Sequence, residues 1–585
     1  MAASNPNNSD KVIKRIWYFF FLPLFLISIV LLFQIQLVQG PHLAEIAANS
    51  RLGTTNLPAQ RGDIVDAKGT VLATTIQTYD IAVNQRLILE AIWHETNEEG
   101  EIVQTKRGPG MVAEFLAPIL GMDEAELGGK MVGNSTYVIL AKDVEVATWR
   151  KIRNLRFRGI EWEAKTKRIY PAEETAASVI GFVTREGTGN GGIELSQEEN
   201  LKGTDGKVTN EYSRYGQVLP SQFAELTEPI NGKSVHLTLD IDLQHRIEDL
   251  VNETAKRNNA QAASVVITDL KTGNILVLAD AYNQPIGTTP QASKVVQYAA
   301  EPGSVGKVFT MAAALEHNVI TALTPVPAPD IFVAPNGERF KDAEPHGYQV
   351  LTAAGVLANS SNTGTVFIGS KISDQQRYEV MQRLGLGKPT EVGLPGESAG
   401  FLPPPDTWDG RQKYVNMFGQ AYSVNQLQLV NAFATIGNGG TYLPLRLVDG
   451  YTLPDGSYEQ VPYEQAQKAL RPEVAAELMK MMETVSVSGS GQHFQVPGYR
   501  TALKTGTAEI FENGRYVGNS LNITGVVPAQ DPQLAIAVHM YRPATNNYAT
   551  VLLADLFKSV VTEAVRARNI PASDSQPQTY PVYAN

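Results

Sequence analysis

Cysteine is missing from all 585 residues, which excludes a disulfide framework, a thiolate nucleophile and a cysteine zinc site but leaves the compartment open. Basic runs are missing as well. The 49 Lys and Arg against 60 Asp and Glu leave a net charge of −11, and no basic stripe offers a footprint for nucleic acid. The eight His are scattered, and His94-Glu95 continues as HETNE, without the second His of H-E-x-x-H. Neither a metal site nor a cofactor is expected. Internal repeats are also lacking. With 43% hydrophobic and 19% charged residues, the composition is that of a folded chain long enough for several domains.

Only one long apolar run is present. Residues 16–38, IWYFFFLPLFLISIVLLFQIQLV, carry no formal charge over 23 positions, where about 20 suffice to cross a hydrocarbon core. Lys11, Lys14 and Arg15 precede the run and the next basic residue is Arg51, so the positive-inside bias puts 1–15 in the cytoplasm and the bulk outside. The following VQGPHLAEI offers no A-x-A-like cleavage site, so an uncleaved single-pass anchor in the plasma membrane is expected.

Beyond the anchor, 39–230 is rich in short β-type runs such as YDIAVN and STYVIL separated by turn-like RGD, AKG and GNGG, and reads as an extended mixed α/β pedestal. Arg61-Gly62-Asp63 is best read as a turn into a strand rather than an adhesion tripeptide. At about 231 the texture changes. A helical pattern, IDLQHRIEDLVNETAKRNN, leads into the alternating AASVVITDL and ILVLAD, and the far end mirrors it with LNITGVVPA, QLAIAVHMY and the helical VLLADLFKSVVTEAVRAR. Strands from both ends enclosing a helical middle predict one α+β domain over 231–568, an antiparallel sheet with packed helices, followed by a polar tail at 569–585.

Within that domain, EPGSVGKVFTMAAALEH places Ser304 at the head of an apolar helical run with Lys307 at i+3 on the same face. A desolvated Lys there has a lowered pKa and can take the serine proton, and the helix N-terminus adds free N–H groups. Further on stand Ser360-Ser361-Asn362 and Lys504-Thr505-Gly506, in the order of serine acyl transferases. Triplets this short have decoys: Ser423-Val424-Asn425, Ser520-Leu521-Asn522, and Lys271-Thr272-Gly273, which sits between two strands as a hairpin turn. The copy at 504 lies in an extended segment, where Gly506 allows close backbone approach and the Thr507 N–H is available to form an oxyanion hole with that of Ser304.

Taken together these segments resemble the class B penicillin-binding proteins. EPGSVGK, SSN and KTGTAE match the three active-site motifs, RGDIVDAKGTVLA the signature of the N-terminal dimerisation-type module, and RIYPAEETAASVIGFV and GGIELSQEENLKGTDG later parts of that module. GLGKPTEVGLPGESAG and FGQAYSVNQLQLVNAFATIGNGGTYLPLRLV are similar to the stretch between the second and third motifs, and the EPGS, LPGE and FGQ segments sit closest to the division-septum enzymes. The resemblance implies a penicillin-sensitive peptidoglycan D,D-transpeptidase. Ser304 is then acylated by the penultimate D-Ala of a stem peptide, with Lys307 as general base. Ser360 and Asn362 relay the leaving-group proton and hold the acyl chain, and Lys504 and Thr505 bind the substrate carboxylate. β-Lactams take the same serine. Implied partners are stem peptides, a SEDS-family membrane glycosyltransferase met through residues 16–38 and the first part of the pedestal, and other divisome proteins.

Three departures from the family pattern stand out. Asp66-Ala67-Lys68-Gly69 replaces the usual D-R-N-G, Leu503 replaces the glycine before the K-T-G lysine, and Gly306 lies inside the nucleophile helix at a cost of about 1 kcal/mol relative to Ala. None removes a chemical group. Four alternatives define the other readings: an elongation-type transpeptidase; a β-lactamase, which would need a deacylating base although no E-x-x-L-N lies between Asn362 and Lys504; a penicillin sensor, whose inward domain has no room in 1–15; and a structural division protein with a silent site. Glu194 in GGIEL is expected to be structural, an ion-pair anchor between pedestal and catalytic domain.

Overall fold

The computed structural model describes residues 7–40, 42–43, 46, 51–96, 101–212, 218–220, 224–282, 293–545 and 547–584. Two compact units make up the chain: residues up to Ala59 with Thr204–Ile230, and Gln60–Gly203 with the residues from Asn231 onward. In the first unit residues 7–40 are helical throughout, and Asp10–Gln39 carries the apolar run with no part of it buried. Among the described residues no other helix is long and apolar enough to cross a membrane. The same unit pairs Leu52–Leu57 antiparallel with Gly206–Tyr212, which also takes Val218–Leu219 and Glu225–Thr227.

The second unit contains a long strand, Val71–Val83, paired antiparallel with Ile160–Ile169 and Val138–Glu145. Its period-2 pattern turns Tyr79, Ile81 and Val83 into a core with Met111, Val112, Leu116, Leu127 and Ile152, and Tyr79 stacks on Trp149 at 3.9 Å between ring centroids. Ile64–Val65 pairs antiparallel with the start of Val71–Val83 and parallel with Ser234–Leu237, which in turn pairs with Val448–Thr452. One sheet therefore runs from the pedestal segment into the catalytic segment.

Two ion-pair sites fix this part. Glu194 is fully buried and receives Arg61 Nε at 2.6 Å and Arg168 Nε at 2.8 Å, while Arg61 Nη1 reaches Glu198 at 2.6 Å. Glu194 is structural, as expected, but its ion pairs stay within the pedestal instead of reaching the catalytic domain, because the RGD turn and the strand Ile160–Ile169 flank the short helix that carries it. The link expected of Glu194 is made at the departure Asp66-Ala67-Lys68-Gly69. Lys68 Nζ sits 3.0 Å from Asp240 and 3.1 Å from Asp242, and Asp66 accepts from the Ile241 N–H at 3.3 Å.

The α+β expectation is met in the catalytic segment. In chain order it contains α1 (Ile241–Arg257), β1 (Ala262–Asp269), β2 (Ile275–Tyr282), α2 (Lys307–Glu316), α3 (Ala353–Ala358), α4 (Asn362–Gly369), α5 (Gln426–Gly437), α6 (Pro472–Ser488), β3 (Ala502–Glu512), β4 (Arg515–Val527), β5 (Leu534–Tyr541) and α7 (Ala554–Ala567). The strands form one antiparallel sheet in the order β2-β1-β5-β4-β3, so the two ends of the segment meet at the β1–β5 pairing and β3 is left as an edge. Asp240 caps α1 by accepting from the Leu243 N–H. Helix α2 is apolar all round and buried from Lys307 to Leu315, as a core helix should be. The polar tail runs mostly exposed along the domain as far as Ala584, with polar groups bonded to α6, to Arg500 just ahead of β3 and to strand Gln349–Thr352.

Candidate active site

Ser304 occupies a single 3₁₀ turn, Gly303–Gly306, that runs straight into α2. Residues i and i+3 eclipse in that geometry, so Ser304 and Lys307 share one side although the α-helix starts only at Lys307. Gly303 has φ +57°, and a Cβ there would fall 2.7 Å from the Thr507 carbonyl oxygen; one on Gly506 would fall 2.4 Å from the Pro302 carbonyl oxygen. The nucleophile turn and the K-T-G stretch of edge strand β3 thus lie backbone to backbone.

The second motif follows α3: Ser360, just beyond the Asn359 C-cap of that helix, has a left-handed φ of +59°. Two lysines converge on its hydroxyl: Lys307 Nζ at 3.2 Å and Lys504 Nζ at 3.0 Å. Lys307 also donates to the Ser360 carbonyl, and Lys504 to that of Thr505 at 2.9 Å. Both lysines are fully buried. Burial pushes the Lys307 amine down to about 7 against the pull of Asp342, and burial followed by the nearby Lys307 charge holds Lys504 well below the usual lysine range. Two ammonium groups on one hydroxyl in a desolvated site are costly, so a neutral amine is on hand near neutral pH.

Lys307, Ser360 and Lys504 are therefore one hydrogen-bonded cluster. The Ser304 hydroxyl is not bonded to Lys307, whose Nζ is turned to Ser360. Thr505 faces Ser490 with hydroxyls 3.4 Å apart, and the Thr507 hydroxyl accepts from the Ala549 N–H at 3.3 Å. Asn362 stands at the first position of α4, where its Nδ2 donates to the Lys341 carbonyl at 2.9 Å rather than to the cluster.

Two groups were not anticipated. Asp342 accepts from the Asn362 N–H at 2.5 Å, the Thr363 N–H at 3.0 Å, the Ser361 hydroxyl at 2.7 Å and His346 Nε2 at 2.8 Å, so it fixes Ser361 and Asn362 of the second motif. Ser490, beside Thr505, is the other. Neither carries a sequence signal, since each reaches the site through a turn. The decoys have structural roles: Asn425 caps α5 in a reciprocal box with Gln428, Ser520 lies within β4 bonded to His539, and Lys271-Thr272-Gly273 is the β1–β2 hairpin turn.

Comparison with known proteins extends the match beyond these residues. Residues 263–562 match the penicillin binding protein transpeptidase domain and 56–237 the penicillin-binding protein dimerisation domain. The chain is 30% identical over 582 residues to penicillin-binding protein PbpB of Mycolicibacterium smegmatis, covering 94% of this chain and 90% of that one. It is 28% identical over 551 residues to peptidoglycan D,D-transpeptidase FtsI of Escherichia coli, covering 92% and 88%. Among solved structures, a peptidoglycan synthetase from Bifidobacterium adolescentis superposes with TM-score 0.74 at 31% identity, over 91% of this chain and 100% of that one. Penicillin binding protein 3 from Mycobacterium tuberculosis, complexed with aztreonam, gives 0.68 at 25% identity, again over 91% and 100%. Since both domains and nearly the full length agree, the chain belongs to the class B penicillin-binding proteins, the peptidoglycan D,D-transpeptidases.

Proposed function

We propose that the chain crosslinks stem peptides in the division septum through a Ser304 acyl-enzyme. The observation that carries this reading is the Lys307–Ser360–Lys504 cluster, with both lysines buried, beside the Ser304 turn. Lys307, whose amine burial lowers to about 7 so that a neutral fraction is present near that pH, takes the Ser304 proton as Oγ attacks the penultimate D-Ala carbonyl. The N–H groups of Ser304 and Thr507 receive the oxyanion. The C–N bond breaks, and the proton reaches the departing D-Ala amine through the Ser360 hydroxyl, with Asn362 holding the acyl chain. Lys504 and Thr505 bind the terminal carboxylate, whose charge favours the ammonium form that burial opposes. An amine of a neighbouring stem peptide then attacks the ester: the new C–N bond forms, the bond from the acyl carbon to Ser304 Oγ breaks, and the proton lost by the amine passes through Lys307 to Oγ. β-Lactams acylate the same oxygen.

The septal assignment is supported by the EPGS, LPGE and FGQ segments and by the likeness to FtsI and PbpB. Residues 16–38 are read as the anchor, with 1–15 cytoplasmic and the catalytic domain outside, where a SEDS-family glycosyltransferase and other divisome proteins meet the helix and the first part of the pedestal. Replacing residues 16–38 with an unrelated apolar helix should abolish co-purification of that polymerase; intact co-purification excludes a helix contribution. The chemical reading is tested by intact mass of the full chain in detergent with a penicillin. A long-lived adduct that disappears in Ser304→Ala is expected. A transient adduct with penicillin consumed points to a β-lactamase, and no adduct on folded protein to a silent site.

A further inference from the structure

Residues 570–584 make contacts that a passive tail would not. Arg500, two residues ahead of β3, donates Nη1 to the Ser575 hydroxyl at 2.8 Å and its backbone N–H to the Ser573 hydroxyl at 3.0 Å, while Nε and Nη2 clasp Glu483 of α6 at 2.6 and 2.7 Å. The Gln578 N–H completes that buried carboxylate at 2.9 Å. Further along α6, Tyr580 donates its N–H to Thr484 at 3.0 Å and its hydroxyl to Glu477 at 2.6 Å. The segment then adds to strand Gln349–Thr352: the Thr352 N–H donates to the Val582 carbonyl at 3.0 Å, the Thr352 hydroxyl to that of Pro581 at 2.6 Å, and the Ala584 N–H to that of Val350 at 3.1 Å. Thr352 is also the N-cap of α3.

The three elements so gripped each deliver a site residue. Helix α3 leads through its Asn359 C-cap to Ser360, β3 carries Lys504 and Thr505, and α6 ends at the turn bearing Ser490, whose N–H donates to the Ala358 carbonyl at 2.9 Å. The segment lies outside the matched transpeptidase domain, which stops at 562. We propose that residues 570–584 act as a strap that positions Ser360, Ser490 and Lys504, so that acylation at Ser304 depends on it. The inference rests on the Ser304 reading above. Its physical basis is over-determination: small displacements of positioned groups are costly in rate, and the strap adds a second set of bonds to elements already linked by Ser490 to Ala358, Lys504 to Ser360 and Arg500 to Glu483.

The contact at Gly355 offers a point test, because a Cβ there would fall 1.9 Å from the Val582 carbonyl oxygen and would expel the strap. Penicillin acylation of the full chain in detergent is followed by intact mass across pH 5 to 9 for the wild type, a chain lacking 571–585, Gly355→Ala, and both together. Both single changes should slow acylation about tenfold or more and raise the pH midpoint as water reaches Lys307, and the combination should be no slower than the deletion alone. A folded deletion chain with unchanged rate and midpoint overturns the strap. Should the deletion fail to fold, an unchanged rate and midpoint in Gly355→Ala does so. Absence of a Ser304-dependent adduct in the wild type would instead overturn the underlying reading.

Discussion

At the residue scale, the chemistry turns on placing a lysine where a lysine is costly. Lys307 sits on an apolar helix with its amine held at about 7 by burial, against 10.5 for the free side chain, and only Asp342 acts in the opposite direction. The unfolded chain therefore holds one more proton than the folded chain between about 7 and 10.5, and stability contributed by this group rises with pH across that window. Lys307→Met should melt above the wild type below pH 7, with a gap that narrows as pH climbs toward 10.5. A pH-independent gap in thermal melts would show that the amine is solvated. The variant should form no penicillin adduct at any pH. This residue was legible because an i, i+3 spacing brings two side chains to one side whether the local backbone is the 3₁₀ turn found here or the helix the sequence predicts. Asp342 was not, since 18 positions, with strand Gln349–Thr352 and helix α3 among them, separate it from Ser360, and only the fold brings its carboxylate to the backbone of Asn362 and Thr363.

At the element scale, the departures from the family pattern are settled by what lies opposite each one. Leu503 leaves β3 in continuous register with β4 from Ala502 to Ile510, because its pairing partner is Gly525, on which a Cβ would fall 2.9 Å from that of Leu503. The missing glycine before Lys504 is matched by one across the ladder, a compensation that no single strand's sequence displays. Gly306 is a different case. Read from sequence it is only a helix weakener worth about 1 kcal/mol. In the fold a Cβ there would fall 2.3 Å from Tyr422 Oη and 2.5 Å from Gly419 Cα, so the helix tolerates the glycine in order to seat against that turn. Gly306→Ala should thus lose about 1–3 kcal/mol of stability, despite the propensity gain, and slow acylation. Adding Tyr422→Phe should recover only part of the loss in urea unfolding, because the Gly419 backbone remains; full recovery would locate the constraint in the hydroxyl alone. What the polar tail binds was hidden for a related reason. Its composition is that of a solvated segment, and the partners that bind it, Glu477, Glu483 and Arg500, lie about 100 residues earlier.

At the scale of the whole second unit, pedestal and catalytic segments are joined by main-chain pairing as well as by side chains. The change of texture near 231 was legible, but the pairing of Ile64–Val65 with Ser234–Leu237 was not, because a parallel partner some 170 residues away leaves no local period to read. Side chains reinforce the joint at Lys68 with Asp240 and Asp242, at Ser178 with Asp280, and at Tyr451 with Gln197. One member of this joint titrates within the physiological range. Glu248 of α1 accepts from the Ala176 N–H of the pedestal at 3.0 Å and from Gln244 at 2.8 Å, and burial lifts its carboxyl from 4.5 to about 7 despite those bonds, with Asp280 and Asp249 adding to the rise. The folded chain therefore holds a proton that the unfolded chain has released between about 4.5 and 7, and the stability this group contributes is present at low pH and lost as pH rises through that range. Glu248→Gln keeps the acceptor for Ala176 without the charge. Its melting temperature should match the wild type near pH 4.5 and exceed it increasingly up to about pH 7, then hold a constant margin. A margin that stays flat from pH 4.5 to 8 would mean that water reaches the carboxylate and that the joint between pedestal and catalytic segment does not respond to pH through this residue.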